Sequence, residues 1–194
     1  MGNLQPKEEY SMAAVIGLDS SKIERVCEEF RENGKFIVPA NYNCSVQTVI
    51  SGESSAIDEA VGKLGEIGAK RAVKLKTSGP FHTIKLEKAK QEYKKELEKI
   101  EFNKGKVKVI KNIDGVFYNE NDNICEILAN HIISPVRFDR AIELMSKEDV
   151  EEYVEIGPGK TLTTFVKKDN KLAKTFNIST VADLKKYIEY EKSI

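Results

Sequence analysis

The stretch "MAAVIGLDSSKIERVCEEF" (residues 12–30) determines the fold, because an apolar strand leads directly into a helix with one apolar face. Its opening run, "MAAVIGL", is typical of a buried strand. Asp19, Ser20 and Ser21 are candidates for the N-cap of the helix, and Glu24 has the spacing of a capping box with Ser21. Apolar residues then recur at helical spacing until Asn33-Gly34, a pair that favours the end of a helix. A strand followed by an amphipathic helix is therefore the first unit of the fold.

The residues that follow predict a strand, a second strand, a helix and a last strand. These elements lie at residues 35–41, 47–52, 54–67 and 70–76. Polar and apolar residues alternate in the last of them, as they do in a strand with one buried face. The resulting order, β-α-β-β-α-β, is the signature of a ferredoxin-like unit. We therefore expect a ferredoxin-like subdomain at residues 12–77, preceded by a linker remnant at residues 1–11.

Strands and helices alternate again in the second part of the chain. The predicted strands lie at residues 106–113, 150–156 and 174–179. The predicted helices lie at residues 86–100, 123–132, 160–168 and 180–192, and a further helix is predicted to begin at Pro135. This alternation implies a parallel α/β sheet. Three strands are few for such a sheet, which indicates that part of it lies outside the chain.

Composition excludes several classes of function. The chain has 194 residues, with 31 basic and 31 acidic side chains and a net charge of zero, which argues against nucleic acid or a membrane surface as a partner. It contains no apolar run long enough to span a membrane. Its three scattered cysteines suit a reducing compartment, so we expect a cytoplasmic protein. No spacing of histidines, cysteines or carboxylates predicts a metal site.

The motif "SGPFHT" (residues 78–83) is the strongest candidate for chemistry. It ends a predicted strand at Gly79-Pro80, and it carries His82, one of only two histidines in the chain. An imidazole at a strand-end corner is well placed to act as a general base. His131, near the end of a predicted helix, is on sequence alone a structural residue.

Two other catalytic motifs are incomplete or missing. "GPGKT" (residues 157–161) resembles the end of a phosphate-binding loop, but Val154 stands where the motif needs its first glycine. Nucleotide binding is therefore not expected. The chain contains no G-x-S-x-G sequence, so it offers no nucleophilic serine on a strand-to-helix elbow.

Several motifs together resemble one known family. "SMAAVIGL", "VPANYN", "QTVISG", "GAKRAVKLKTSGPFHT", "SPVRF" and "VEIGPGKTL" occur in the order and spacing of the malonyl-CoA:acyl carrier protein transacylases of fatty-acid synthesis. The resemblance runs from Met1 to about residue 170. It implies an α/β fold in which a ferredoxin-like subdomain is inserted into an α/β-hydrolase-like core. Residues 12–77 match the insert, and residues 78–194 match the C-terminal part of the acyltransferase core.

The resemblance also implies a ping-pong acyl transfer. A serine takes malonyl from coenzyme A and passes it to the phosphopantetheine thiol of acyl carrier protein. His82 falls on the histidine that acts as general base and acid, and the main-chain carbonyl of His131 falls where it would orient His82. Glutamine is usual at position 131. Asn41 and Asn43 match a pair of asparagines that borders the active site and binds substrate. No cofactor is implied beyond the two substrates.

The largest departure from the family is an absence. The serine nucleophile and the arginine that binds the malonyl carboxylate are not in this chain, so acyl specificity stays open. We expect a C-terminal portion of a transacylase that holds the base without the nucleophile and is inactive alone. We also expect it to expose apolar surface between residues 78 and 178. The alternative is a non-catalytic protein that binds acyl carrier protein, or one subunit of a split enzyme whose N-terminal half is a separate chain.

Overall fold

Helices and strands alternate along the computed structural model of this chain, which describes residues 9–77, 79–103 and 105–193. The chain divides into two units, residues 1–141 and residues 142–194. Residues 1–8 of the predicted linker and Ser78 of the predicted corner lie outside the described residues. The division into a subdomain at residues 12–77 and a core at residues 78–194 stays a prediction.

The first unit begins with the predicted β-α-β-β-α-β order. Its elements are β1 (Tyr10–Ile16), α1 (Ser20–Glu32), β2 (Ile37–Cys44), β3 (Gln47–Glu53), α2 (Ser54–Glu66) and β4 (Arg71–Lys74). The strands lie in the order β4-β1-β3-β2, and each of these neighbours pairs antiparallel. This is the ferredoxin-like arrangement that the sequence predicts.

The start of α1 agrees with one of the three predicted N-cap candidates. Asp19 is the N-cap, and its carboxylate accepts a hydrogen bond from the Ser21 backbone N–H at 2.8 Å. The predicted capping box of Ser21 and Glu24 is therefore wrong, because the helix begins one residue before Ser21. The Glu24 side chain instead accepts a hydrogen bond from the hydroxyl of Tyr42 in β2, at 2.7 Å.

The two faces of the sheet have different covers. α1 and α2 pack on one face, where the buried cluster contains Ala13, Val15, Leu18, Ile23, Val26, Cys27, Phe30, Ile37, Ile50, Ala56, Ile57, Ala60 and Leu64. On the other face, Met12, Ala14, Ala40 and Val49 form a smaller cluster, against which Leu75 and Phe81 pack. Phe81, the residue before His82, therefore packs on the face of the sheet opposite to the helices.

Two bulges in β2 set which face its side chains occupy. Asn41 pairs with Val49 and Tyr42 pairs with Thr48, while Ala40 and Asn43 are extra residues without a partner in β3. Paired residues of neighbouring strands share a face. Asn41 therefore lies on the face of Val49, where Phe81 packs, and Tyr42 lies on the face of the helices.

The rest of the first unit differs from the prediction in two places. Its elements are a 3₁₀ turn (Ile84–Leu86), α3 (Glu87–Leu97), α4 (Ile124–His131), β5 (Val136–Arg137) and the start of α5 (Phe138–Lys147). The helix predicted at Pro135 begins at Phe138, because Val136 and Arg137 pair with β2 instead. The strand predicted at residues 106–113 is wrong. Its described residues form only an isolated bridge, from Ile110 to Phe117, and a strand is stable only in a ladder.

The second unit is a small parallel sheet with two helices. Its elements are β6 (Glu152–Ile156), α6 (Thr161–Asp169), β7 (Lys174–Ile178) and α7 (Val181–Glu191). β6 and β7 pair in parallel from Glu152 with Lys174 to Ile156 with Ile178. The parallel pairing agrees with the prediction. The predicted third strand is not part of this sheet, since residues 106–113 form no strand there.

Exposed apolar side chains are unevenly distributed over the described residues. Val46 and Ile67 are the exposed large ones between β1 and β4. Beyond β4 they include Ile84, Ile100, Phe102, Val107, Val109, Val116, Ile156, Leu162 and Leu172. This is the apolar surface that the sequence predicts. Within the described ranges, no helix combines the length and the apolar character that a membrane span requires.

Candidate functional site

The corner that carries His82 is held by its own hydrogen bonds. The Thr83 hydroxyl is buried and donates to the Pro80 carbonyl at 2.8 Å, and it accepts from the Lys85 backbone N–H at 3.3 Å. His82 itself has a φ of +59°, in the left-handed region that non-glycine residues seldom occupy. Backbone strain of this kind is common where a side chain must be held in one direction.

The His82 ring is oriented by main chain. Its Nδ1 lies 3.1 Å from the carbonyl oxygen of His131, at the end of α4. Because a carbonyl can only accept a hydrogen bond, Nδ1 carries the proton. The other nitrogen, Nε2, then has the free lone pair of a neutral imidazole. This tautomer is the one a general base needs.

The surroundings of His82 keep it neutral near pH 7. Burial lowers the pKa of His82 from its ordinary value of 6.5, because removal from water disfavours the charged ring. Hydrogen bonds to the backbone of His131 and Ser134 raise the pKa and offset part of this effect. The net direction is downward, so the ring is available to accept a proton at neutral pH.

A cavity of about 300 Å³ lies beside the two histidines. It is lined by Phe81, His82, Leu86, Tyr93, Leu128, His131 and Ile132. The lining side chains come from the corner, from α3 and from α4, and all but the histidines are apolar or aromatic. A mostly apolar cavity with a small number of polar groups is typical of a ligand site.

The His131 side chain is a second feature of the site, which the sequence interpretation missed. Its ring centroid lies 5.2 Å from that of His82, with an angle of 32° between the planes. Its Nε2 is buried and has no hydrogen-bond partner among the described residues. Burial is the main cause that lowers the pKa of His131, and the nearby charge of protonated His82 lowers it further. In the sequence, this feature was indicated only by a histidine at a position where the family usually has glutamine.

Asn41 and Asn43 lie in β2, and the structure positions them through the sheet. Asn41 pairs with Val136 of β5 and lies on the face where Phe81 packs. Asn43 is the extra residue of the second bulge. Both side chains are half-buried. Their part in substrate binding stays a prediction, as do the catalytic roles of His82 and His131.

Arg137 holds β5 against β2 beside Asn41, and the sequence interpretation did not single it out. Its guanidinium carbon lies 4.2 Å from the ring centroid of Tyr42, a stacked cation–π contact. Nε and Nη2 of Arg137 donate to the two carboxylate oxygens of Asp139, at 3.0 and 2.7 Å. Its place in the motif "SPVRF" was the available signal.

Comparison with known proteins shows what the chain is similar to. No family model matches the chain. The malonyl CoA-acyl carrier protein transacylase of Staphylococcus aureus (strain MSSA476) is 36% identical over 179 residues, which are 92% of this chain. The same enzyme of Bacillus subtilis (strain 168) is 37% identical over 179 residues. The chain is a homologue of the malonyl CoA-acyl carrier protein transacylases.

Solved transacylase structures agree with this assignment. The Clostridium perfringens malonyl CoA-acyl carrier protein transacylase superposes with a TM-score of 0.92 at 35% identity and covers the whole of this chain. A second match, with a TM-score of 0.90 at 30% identity, is a type II PKS acyl-carrier protein in complex with its malonyl-transacylase.

The match covers only part of each relative. The chain spans 58% of the length of the S. aureus transacylase, 56% of the B. subtilis one and 60% of the C. perfringens structure. About two fifths of each transacylase therefore has no counterpart in these 194 residues.

Proposed function

We propose that this chain is part of a malonyl-CoA:acyl carrier protein S-malonyltransferase, in which His82 is the general base and acid. The observation that carries the proposal is the contact from His82 Nδ1 to the His131 carbonyl at 3.1 Å, because it leaves Nε2 as the proton acceptor. The lowered pKa of His82 and the apolar cavity beside it support the same role.

The first half-reaction loads the enzyme with malonyl. His82 Nε2 accepts the proton of a serine hydroxyl while the serine oxygen attacks the thioester carbonyl of malonyl-CoA. The carbon–sulfur bond breaks, and the coenzyme A thiolate takes the proton back from Nε2. The products are a malonyl-serine ester, free coenzyme A and a neutral His82.

The second half-reaction reverses these steps with another thiol. His82 Nε2 accepts the proton of the phosphopantetheine thiol on acyl carrier protein, and the sulfur attacks the malonyl-serine ester. The ester bond breaks, and Nε2 returns the proton to the serine oxygen. The transfer exchanges one thioester for another, so it requires no cofactor.

The serine in this scheme comes from outside these 194 residues, which contain no G-x-S-x-G sequence. We therefore propose that the chain alone does not transfer malonyl, and that a polypeptide equivalent to the unmatched part of the transacylases completes the enzyme. Its partners are a coenzyme A thioester and acyl carrier protein. We assign it to the cytoplasm, where the sparse cysteines would stay reduced.

A chimera tests the proposal. The 179 matched residues of the B. subtilis transacylase are replaced by the corresponding residues of this chain, and malonyl transfer from malonyl-CoA to acyl carrier protein is measured. We expect transfer, and we expect His82→Asn to abolish it. A folded chimera that binds acyl carrier protein without transfer would favour the non-catalytic alternative. A malonyl adduct on any serine of the isolated chain, detected by intact mass, would contradict its predicted inactivity.

A further inference from the structure

His131 contacts His82 through two different groups. Its main-chain carbonyl oxygen lies 3.1 Å from Nδ1 of His82, and its imidazole lies beside the His82 imidazole, with ring centroids 5.2 Å apart. The planes of the two rings are tilted by 32°, and the separation is within the range of paired aromatic rings. The carbonyl contact needs no particular side chain at position 131, whereas the ring contact needs a flat ring there.

The carbonyl contact leaves one motion of His82 free. A hydrogen bond at Nδ1 sets the tautomer of the ring, but it tolerates some misalignment. The torsion between a side-chain carbon and a flat ring has a broad minimum, so the His82 ring can still turn. Its Nε2 lies off the axis of this rotation, so the turn changes where the lone pair points. A second ring packed beside the first limits the turn.

Packing, and not a hydrogen bond at Nε2, holds the His131 ring. Its Nε2 is buried and has no hydrogen-bond partner among the described residues. Leu128 lies three residues earlier in α4, so the two share a face of the helix, and Leu86, Leu128 and Ile132 line the same cavity. An apolar surrounding without a partner for Nε2 suits a neutral imidazole, because a buried charge would have nothing to stabilise it.

The charge that His82 gains in the reaction also favours a neutral His131. His82 becomes an imidazolium when it accepts a proton, and two positive rings at this separation repel each other. Burial lowers the pKa of His131, and the charge of protonated His82 lowers it further. His131 therefore stays neutral while His82 carries its proton.

Charged side chains on the surrounding elements have partners of their own. On the two helices, the ion pairs are Lys94 of α3 with Glu126 of α4 and, within α3, Lys90 with Glu87. The ammonium group of Lys85, on the 3₁₀ turn, lies 4.8 Å from the centroid of the Phe36 ring. Tyr93 lines the cavity, and a phenol is uncharged at and below neutral pH. Among the described residues, His82 is the group whose charge changes the pKa of His131.

We propose that His131 is a positioning residue for His82, whose neutral ring holds the His82 ring in the rotation that directs Nε2 at the reacting group. The proposal rests on the function proposed for His82, and it adds a side-chain role to the main-chain one. Glutamine, the usual residue of the family at this position, would supply the carbonyl without the ring. The His131 side chain is therefore a feature of this chain in particular.

Ring dynamics test the contact without acyl transfer. The isolated chain contains only two histidines, so single substitutions assign their ring signals in NMR spectra of the ¹³C-labelled protein. Two variants keep the carbonyl at position 131 and differ in the ring: His131→Gln removes it, and His131→Phe retains a flat ring. We expect the order parameter of the His82 ring to fall in His131→Gln and to recover in His131→Phe. Equal order in these two variants and the unsubstituted chain would overturn the proposal.

The pKa of His131 provides a second test in the isolated chain. His82→Asn removes the neighbouring charge, and at a ring separation of 5.2 Å we expect the pKa of His131 to rise by about 0.5 to 2 pH units. Tyr93→Phe is the control, because it alters another side chain of the cavity without removing a positive charge, and it should leave the pKa of His131 unchanged. The same pKa in both variants would overturn the neutral role of His131.

Malonyl transfer by the B. subtilis chimera shows whether the positioning matters to the reaction. We expect His131→Gln to lower kcat by about two- to fivefold with little change in KM, and His131→Phe to restore most of the lost rate. A loss of the same size in both variants would contradict positioning by a ring. If the chimera transferred no malonyl, the function proposed for His82 would fail, and the two NMR measurements would still decide the contact between the rings.

Discussion

His82 and His131 are joined through a ring nitrogen and a main-chain carbonyl, 3.1 Å apart, and not through two side chains. A main-chain acceptor is present whatever side chain the residue carries. The contact can therefore form with any side chain at position 131. It also separates the expected effects of substitution at the two positions.

Substitution of the two histidines in the B. subtilis chimera should have unequal effects. His82→Asn removes the proposed base, and it keeps a residue type that tolerates the left-handed backbone at φ +59°. We expect malonyl transfer to fall by about 10²- to 10⁴-fold. His131→Gln keeps the carbonyl, so transfer should stay within a few-fold of the unsubstituted chimera. Steady-state transfer rates to acyl carrier protein measure both, and equal losses would contradict the main-chain role.

The two histidines should make the isolated chain less stable below neutral pH. Burial lowers the pKa of both from 6.5, so the unfolded chain binds protons more readily than the folded chain between the folded pKa values and 6.5. The free energy of unfolding should be highest above pH 6.5 and should decrease as the pH falls through this window. Urea unfolding at several pH values between 7.5 and about 5 measures it.

A variant without histidine provides the control for this pH dependence. The double substitution His82→Asn and His131→Gln removes both histidines of the chain, so the decrease attributable to them should vanish. If the free energy of unfolding decreased equally in the unsubstituted chain and in the double variant between pH 7 and about 5.5, groups other than the histidines would cause the decrease.

Gly115 and Gly34 form a matched pair for backbone and steric effects. Both have positive φ, +74° and +76°. A Cβ on Gly115 would lie 2.3 Å from the Cβ of Arg140, whereas a Cβ on Gly34 would meet nothing within 4 Å. We expect Gly34→Ala to cost about 1 kcal/mol of unfolding free energy, from the backbone alone. Gly115→Ala should cost about 1–3 kcal/mol more, because of the clash. Equal midpoints in urea would contradict this difference.

The stacking of Arg137 on Tyr42 should appear as an energetic coupling. Tyr42→Phe removes the hydroxyl that donates to Glu24 at 2.7 Å but keeps the ring. Tyr42→Phe should lower the free energy of unfolding by about 1 kcal/mol. This loss should add to the loss caused by Arg137→Met without coupling. Tyr42→Leu removes the ring, and its double-mutant cycle with Arg137→Met should give a coupling of about 0.5–2 kcal/mol. Additivity in both cycles would exclude the stacked contact.

Local patterns were sufficient to predict the ferredoxin-like unit. Each of its strands has neighbours within the same 65 or so residues, so the alternation of side chains and the pairing of strands agree. Residues 106–113 show the opposite case. Their alternating sequence favours a strand, but the described residues supply only Phe117 as a bridge partner for Ile110. Propensity without a ladder does not produce a strand.

The candidate site was predicted only in part. The strand-end corner predicted that His82 is a site residue. Nothing in the residues alone predicted its contact with His131, which is 49 positions away. That link came from resemblance to a family. The stacking of the two imidazoles and the positive φ of His82 depend on tertiary packing, and no local pattern encodes them.

The first bulge of β2 decides which way two adjacent side chains face. If Ala40 were taken into the ladder as the partner of Val49, regular alternation would place Asn41 opposite Thr48 on the helix-covered side of the sheet, and Tyr42 on the side of Phe81. Deleting Ala40 would instead leave Asn41 opposite Val49, with both faces unchanged. One alanine left out of the ladder thus keeps the asparagine on the side of the sheet where Phe81, the neighbour of His82, is anchored.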